Sequence, residues 1–177
     1  INFMLVNAHK VEGDENEKKH YIGLARLCRA LQYYGLIKNY GSAPWYSAPI
    51  ATDDEEALYK TQDSRSLVVD SVMADLQYAC DYMQEGSSRT RVTRYAALGY
   101  MARIALHEGT FRKYHEEISE LAGTVNSFLE KAVWATDEIM SSGQFEITGK
   151  GAAAYRDLFT NPDLSKNKEM ILFGHSM

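Results

Sequence analysis

The residues from Ala25 to Pro44 constrain the fold more than any other part of the sequence. They read ARLCRALQYYGLIKNYGSAP, and a long helical pattern runs up to Tyr40-Gly41. Glycine suits the left-handed residue that ends a helix, and proline cannot continue one. The segment therefore predicts a long helix that ends at Gly41, followed by a loop that carries Trp45 and Tyr46.

Helical patterns cover most of the remaining sequence. Apolar residues at a spacing of three and four predict helices from about Asp14 to Tyr40, along Val69 to Met83, from about Val92 to His107 and through Ala132 to Gly143. The third helix is expected to stop at Gly109. The inward faces are assigned to Tyr21, Leu24, Cys28 and Leu31 of the first helix and to Tyr95, Leu98, Ala102, Ala105 and Leu106 of the third.

Shorter patterns fill the gaps between these helices. Ser127 to Glu130 fits a capping box, in which a hydroxyl and a carboxylate satisfy free amides at the start of a helix. The other short elements predicted are a helical pattern over Tyr114 to Ala122, an extended piece at Phe145 and Ile147, a helical turn over Tyr155 to Phe159 and a strand over Glu169 to Gly174.

The four long helices are expected to pair as hairpins, because small residues would let neighbouring helices approach closely. The Tyr95-x-x-Leu98-Gly99 spacing resembles the start of a tetratricopeptide repeat. The predicted fold is therefore mainly α, with tetratricopeptide-like helical hairpins, long loops and a short C-terminal strand. We expect residues 1–177 to form a single helical-repeat region that is a piece of a larger protein.

Composition excludes several classes of function. The formal net charge of −5 disfavours a general role in binding nucleic acid, and no apolar run is long enough to cross a bilayer. The five histidines lack metal-ligand spacing, and the sequence holds neither a glycine-rich phosphate loop nor a nucleophile elbow. We therefore expect no metal, no cofactor and no catalytic residues.

Two cysteines, Cys28 and Cys80, fall on the predicted apolar faces of two helices. Unpaired cysteine behaves as a small hydrophobic residue, so two free buried thiols are the simplest interpretation. A disulfide would require the two Cα atoms to lie within roughly 7 Å of one another. The sequence leaves open whether the two residues pair.

A set of short matches to a known family runs in the same order along nearly the whole chain. The matching residues include Ala25-Arg26, Arg29-Ala30, Tyr33-Tyr34, Tyr40-Gly41, Pro44, Asp63-Ser64-Arg65, Asp75-Leu76, Arg91, Thr93, Gly109-Thr110-Phe111 and Leu158-Phe159. Together they resemble the SusD/RagB family of outer-membrane nutrient-binding lipoproteins. One departure is Phe111, where the family often has tryptophan, and this change keeps an apolar side chain.

The resemblance implies binding of oligosaccharide nutrients at the cell surface by an accessory subunit of a TonB-dependent outer-membrane transporter. It also implies a lipid anchor outside this chain as the contact with the outer membrane, and no enzymatic activity. The alternative is a helical-repeat adaptor that binds a protein segment. A carbohydrate-active enzyme is a third and weaker hypothesis.

Two groups of residues are candidates for binding. Trp45 and Tyr46 would stack on a sugar ring, or they would pack the loop against the helices, as buried aromatic residues commonly do. Arg89, Arg91 and Arg94 cluster where the third helix begins, although the helix dipole disfavours cations there. Arg89 and Arg94 would contact a partner protein, or the cluster would pair with acids such as Asp70 or Asp75.

Overall fold

The computed structural model describes residues 1–147, 149 and 151–173. Over these residues the chain is built from helices joined by loops. The helices are α1 (Asn2–Asn7), α2 (Glu15–Tyr40), α3 (Glu55–Leu58), α4 (Arg65–Tyr82), α5 (Arg94–Tyr114), α6 (Val125–Ser141) and α7 (Ala152–Thr160).

Both ends of α2 follow from side chains close to them in sequence. The Asp14 carboxylate accepts hydrogen bonds from the backbone N–H groups of Asn16 and Glu17, both at 2.9 Å, which satisfies amides that lack a partner within the helix. At the other end, Gly41 has a φ of +81°, a conformation that glycine adopts without strain. The predicted helix and its end at Gly41 are confirmed.

The long helices form two antiparallel hairpins. In the first hairpin, α2 lies along α4, and a Cβ atom built on Gly23 would lie 2.7 Å from Cγ of Met83. In the second hairpin, α5 lies along α6, and α4 contacts α5 to join the two hairpins. One apolar core runs through all four helices and includes Leu27, Val72, Leu98 and Ala135.

Gly109 lies inside α5 and does not end it, so the predicted stop was wrong. The helix continues to Tyr114. A Cβ atom on Gly109 would lie 2.8 Å from Cδ2 of Leu129 in α6. This glycine is therefore explained by the close approach of α6 and not by the need to terminate a helix.

The inward face of α2 also differs from the prediction. Leu27, Ala30, Tyr34 and Ile37 are buried, whereas Tyr21 is 58% exposed and Cys28 is exposed. Both cysteines are free thiols, and Cys80 is buried in α4 as predicted. On α5, Leu106 is 54% exposed, so its assignment to the core was wrong.

Two predictions of local structure were also wrong. The helix α6 begins after Thr124, so Ser127 lies within the helix, where its hydroxyl donates to the Thr124 carbonyl at 2.7 Å. Residues 169–173 form turns and irregular structure and not a strand, and Gly174 lies outside the described residues. The backbone N–H of Phe173 donates one hydrogen bond to the Arg89 carbonyl, at 2.6 Å.

Of the helices in the described ranges, none is both long and apolar enough to cross a membrane.

Candidate functional site

The aromatic loop, residues 41–63, is held against the first hairpin. Its ends meet in a short antiparallel bridge between Ala43 and Asp63. The backbone N–H of Trp45 donates to the Asp63 carboxylate at 2.7 Å. The Trp45 ring lies 4.3 Å from the Tyr33 ring and 5.0 Å from the Arg29 guanidinium, measured to ring centroids. Trp45 therefore fixes the loop to α2 while it stays partly exposed.

Tyr46 forms hydrogen bonds within the aromatic loop and with two residues outside it. Its hydroxyl donates to the Ala57 carbonyl at 2.6 Å, and its backbone N–H donates to the Tyr33 hydroxyl at 2.9 Å. Its carbonyl accepts from the side-chain amide of Asn2 at 2.8 Å. These contacts fit the packing hypothesis for Trp45 and Tyr46, and their contact with a sugar stays a prediction.

The first charge cluster, Arg26, Arg29 and Asp75, lies beside this loop. Nε and Nη2 of Arg29 donate to the two carboxylate oxygens of Asp75 at 2.7 and 2.8 Å, a two-point geometry that suits arginine. Asp75 is 2% exposed, whereas the Arg26 side chain, 3.7 Å from the same carboxylate, is 35% exposed. Arg29 and Asp75 both belong to the short matches that resemble the family, but the sequence does not show that they pair.

The second charge cluster, Arg65, Glu108 and Arg112, lies between the hairpins. Glu108 accepts from Nη2 of Arg65 at 2.7 Å and from Nε of Arg112 at 2.9 Å. The two guanidinium groups stand over the rings of Phe111 and Phe128, at 3.8 and 4.2 Å. One buried carboxylate thus holds two buried cations, so the cluster carries a net positive charge.

The arginines near the start of α5 bind groups within the chain. Arg94 donates to the Cys80 carbonyl at 2.7 Å and forms ion pairs with Glu138 at 2.7 Å and Glu85 at 3.1 Å. These acids differ from Asp70 and Asp75, which the sequence suggested. Arg89 donates to the Gln144 carbonyl at 2.9 Å and lies over the Phe145 ring. Contact of Arg89 and Arg94 with a partner protein stays a prediction.

A groove of about 600 Å³ runs between α2 and α5, and we call it the α2–α5 groove. The Tyr34 hydroxyl and Nδ1 of His107 lie 2.6 Å apart across it. Burial, together with the nearby Glu108 carboxylate, raises the pKa of Tyr34 well above its ordinary value, so the hydroxyl stays protonated and can donate to His107. The helices α2 and α5 belong to different hairpins, so the groove depends on how the hairpins are joined.

Groups that could support metal binding or acid–base chemistry are few. Within the described part of the chain, no cluster of histidine, cysteine, aspartate and glutamate side chains could hold a metal ion. The buried carboxylates found there, Asp75 and Glu108, are each engaged by arginine. Neither is placed as one of a pair of carboxylates across a cleft, which glycoside hydrolysis requires.

Comparison with known proteins finds relatives in the SusD-like family. Residues 1–106 match the family model SusD-like_3, described as starch-binding and associating with the outer membrane. The SusD-like protein P2 of Formosa agariphila is 31% identical over 118 residues, which is 66% of this chain and 23% of that protein. The chain spans about a quarter of the length of the curated relatives that it matches.

Solved structures of similar proteins share the fold. A SusD-like protein from Bacteroides fragilis matches 97% of this chain and 30% of its own, with a TM-score of 0.72 and 22% identity. A protein solved with xylogluco-oligosaccharide matches 97% of this chain and 32% of its own, with a TM-score of 0.69 and 22% identity. The arrangement of helical hairpins is therefore that of SusD-like proteins.

Proposed function

Since this chain belongs to the SusD-like family, we propose that it binds oligosaccharide nutrients at the surface of the outer membrane. It does so as an accessory subunit of a TonB-dependent outer-membrane transporter, held to the membrane by a lipid anchor outside this chain. The observation that carries the proposal is the family match over residues 1–106, because these residues include the first hairpin and the aromatic loop.

The similar structures support carbohydrate as the ligand class. One of them was solved with xylogluco-oligosaccharide, and another is a laminarin-binding SusD-like protein. In the part of the chain that the structure describes, the buried carboxylates of Asp75 and Glu108 are neutralised by arginine, which supports binding without hydrolysis. Incubation with starch and xyloglucan oligosaccharides should release no new reducing ends, and measured turnover would contradict this part of the proposal.

Deletion of the gene in its native bacterium tests the function directly. The deletion strain should lose uptake of at least one class of labelled oligosaccharide, and the restored gene should recover it. Uptake at the original rate for every oligosaccharide tested would overturn the proposal. Growth on a monosaccharide is the control, because it should not require a surface glycan-binding protein.

Trp45 is the residue of the aromatic loop to test first for contact with sugar. The Trp45→Ala variant should weaken binding to the best oligosaccharide of an array at least about fivefold, a cost typical of a well-placed aromatic contact. The Trp134→Ala variant on α6 is a matched control, since Trp134 is also half-buried. Unchanged affinity of Trp45→Ala would leave Trp45 with the packing role alone.

Arg89 and Arg94 are the residues that we propose at the transporter contact. Arg89→Glu should reduce co-purification with a TonB-dependent transporter from outer-membrane extracts, while Arg91→Glu, an exposed neighbour, is the control for charge alone. Arg94→Glu is less informative, because Arg94 already neutralises Glu85 and Glu138 and its reversal would also disturb the fold. Full co-purification of Arg89→Glu would remove this residue from the contact.

A helical-repeat adaptor is the second candidate function. It is favoured by the open groove between α2 and α5, since loops and grooves of helical repeats commonly bind protein segments. This candidate predicts a protein ligand and no change in oligosaccharide uptake after deletion of the gene.

A further inference from the structure

The α2–α5 groove combines apolar and cationic side chains. Leu31 from α2 and Ile104 and Leu106 from α5 supply apolar surface, and Leu106 is 54% exposed. Lys38 from α2 and Arg103 from α5 line the same groove from opposite sides, and both are exposed. The residues that line the groove come from two helices of different hairpins, so the sequence pattern of either helix alone does not predict this surface.

The groove is positive although the chain is negative. The formal net charge of the chain is −5, yet no acidic side chain is among the described residues that line the groove. The second charge cluster lies next to it: Arg65 approaches the Ile37 carbonyl of α2, and the Glu108 carboxylate is close enough to act on Tyr34. Glu108 is the member of that cluster whose charge acts most strongly on Tyr34, so the positive charge of the groove comes from Lys38 and Arg103. These two cations favour an anionic occupant.

Gly35 gives an independent sign that something approaches the helix here. It lies in the interior of α2 and lines the groove, and a Cβ atom built on it would meet nothing within 4 Å. Glycine in a helix interior is destabilising relative to alanine. Contacts within the described chain do not require this glycine, whereas a backbone that comes close to α2 would.

We propose that the α2–α5 groove is a docking site for an acidic polypeptide segment of a partner protein, in which aspartate or glutamate side chains alternate with apolar ones. The carboxylates pair with Lys38 and Arg103, and the apolar side chains cover Leu31 and Leu106. The apolar lining favours a peptide over an acidic sugar, because sugar hydroxyl groups would leave this surface without matching contacts. The proposal rests on the proposed function only in expecting a protein partner.

The test is selection of a displayed library of random decapeptides on the protein expressed from its native gene. The selected peptides should be enriched in aspartate and glutamate next to leucine or isoleucine. The best peptide should bind at least about tenfold more tightly than its twin with asparagine and glutamine in place of the acids, and its affinity should fall as salt rises. Selection of peptides without acidic residues, or of none, would overturn the proposal.

Variants of the chain locate the site. Lys38→Ala and Arg103→Ala should each lower the affinity for the selected peptide at least about fivefold. Lys113 is exposed near the end of α5, and Lys113→Ala should leave this affinity unchanged. Equal losses of peptide affinity for Lys113→Ala and Arg103→Ala would show general electrostatic attraction without a defined binding site, and would overturn the proposal.

Gly35→Ala separates docking from folding because the two effects have opposite signs. Gly35→Ala should raise Tm by about 2 °C, because alanine favours the helix. It should still lower the affinity for the selected peptide at least about fivefold. Gly99→Ala is the matched control, since its Cβ would lie at an ordinary 3.6 Å from Ile171; it should leave peptide affinity unchanged. Unchanged peptide affinity of Gly35→Ala would contradict the close approach that we infer.

Two further measurements separate this proposal from its alternatives. Oligogalacturonate, a carboxylated sugar, should not displace the selected peptide. If it does displace the peptide, and if its own binding depends on Arg103, the groove would be assigned to acidic glycans instead. Oligosaccharide uptake after gene deletion reports on the proposed function alone. Loss of uptake with no peptide selected would therefore overturn the docking site and leave the proposed function standing.

Discussion

The two charge clusters differ in how completely the fold encloses them. In the first cluster, Asp75 is buried, but the Arg26 side chain is 35% exposed, and Arg29 also donates to the Asn2 side chain at 3.0 Å. In the second cluster, the side chains of Glu108, Arg112 and Arg65 are 0%, 1% and 9% exposed. The first cluster has access to water through Arg26, whereas the second is almost fully enclosed, although Arg112 also donates to the Thr124 hydroxyl at 2.8 Å and Arg65 lies 3.5 Å from the Ile37 carbonyl.

This difference indicates what each cluster does in the structure. The first cluster joins α2 to α4 within one hairpin and lies beside the aromatic loop. The second joins α4 to α5, and therefore joins one hairpin to the other. Removal of a single buried charge should be most costly where two opposite charges depend on it, because an unpaired ion in a dry interior loses its hydration without compensation.

The Glu108→Gln variant should show the largest effect. Glutamine has nearly the same shape but leaves the Arg65 and Arg112 guanidinium groups buried without a counter-charge. The free energy of unfolding should fall by about 3–5 kcal/mol, measured by urea denaturation at pH 7. Glu116→Gln, at an exposed position after α5, should change it by less than about 0.5 kcal/mol. A loss below about 1 kcal/mol for Glu108→Gln would contradict the enclosure of this cluster.

The Asp75→Asn variant should be less destabilising. Arg29 keeps its contacts with Asn2 and the Ser47 carbonyl, and Arg26 can turn toward water. We expect a loss of about 2 kcal/mol, which is typical of hydrogen bonds to a charged group. Asp70→Asn, on the exposed side of the same helix, is the control. If Asp75→Asn costs as much as Glu108→Gln in the same urea series, the contrast between the two clusters is wrong.

The Gly109→Ala variant tests how tightly the second hairpin closes beside its charge cluster. The new methyl group would meet Leu129 at 2.8 Å, and overpacking of this kind typically costs 1–3 kcal/mol. Alanine regains up to about 1 kcal/mol of helix propensity, so the net loss should be about 1 kcal/mol. A more stable Gly109→Ala variant would show that α6 can move away to accommodate the new methyl group.

Labelling of the two cysteines tests the packing of the first hairpin without any substitution. Burial raises the pKa of the Cys80 thiol to about 12, so at pH 8 it stays protonated and unreactive, while Cys28 is exposed. Iodoacetamide should therefore label one thiol in the folded chain and two in urea, counted by mass spectrometry. Equal labelling rates for both cysteines in the folded chain would contradict the packing of α4.

Burial of the same thiol makes stability depend on pH. The Cys80 pKa rises on folding from 9.0 to about 12, so the folded state holds the proton more tightly. Its contribution is complete below pH 9, and stability should decline as the pH rises from about 9 toward 12. The Cys80→Ser variant should show less of this decline in urea denaturation at pH 8 and pH 10.

Local signals made several elements predictable. Asp14 and Gly41 act on backbone groups within a few residues, so the ends of α2 could be placed from the sequence alone. The apolar face of α4 was also predicted correctly, because Val69, Val72 and Leu76 carry an unbroken pattern. The failures occurred where a residue type has two uses. The sequence predicts a helix stop at Gly109, but this glycine instead lets α6 approach closely, and it predicts a helix cap at Ser127, which lies inside α6.

The candidate binding surfaces were harder to predict than the helices. The loop residues Trp45 and Tyr46 were visible as aromatic residues in a loop, but their partners Tyr33 and Asp63 are distant in sequence. The α2–α5 groove could not be predicted at all, because its two walls belong to different hairpins and neither wall has a distinctive motif.

The sequence by itself determined that the chain is helical, where its long helices lie, and which family it belongs to, because helix propensity, caps and short matches are properties of neighbouring residues. The tertiary structure decided which side of α2 is buried, why Gly109 is glycine, and how single carboxylates hold several arginines. The physical reason is that burial of a charge depends on a distant partner of opposite sign. Glu108 and Arg65 find each other only when both hairpins have folded and met.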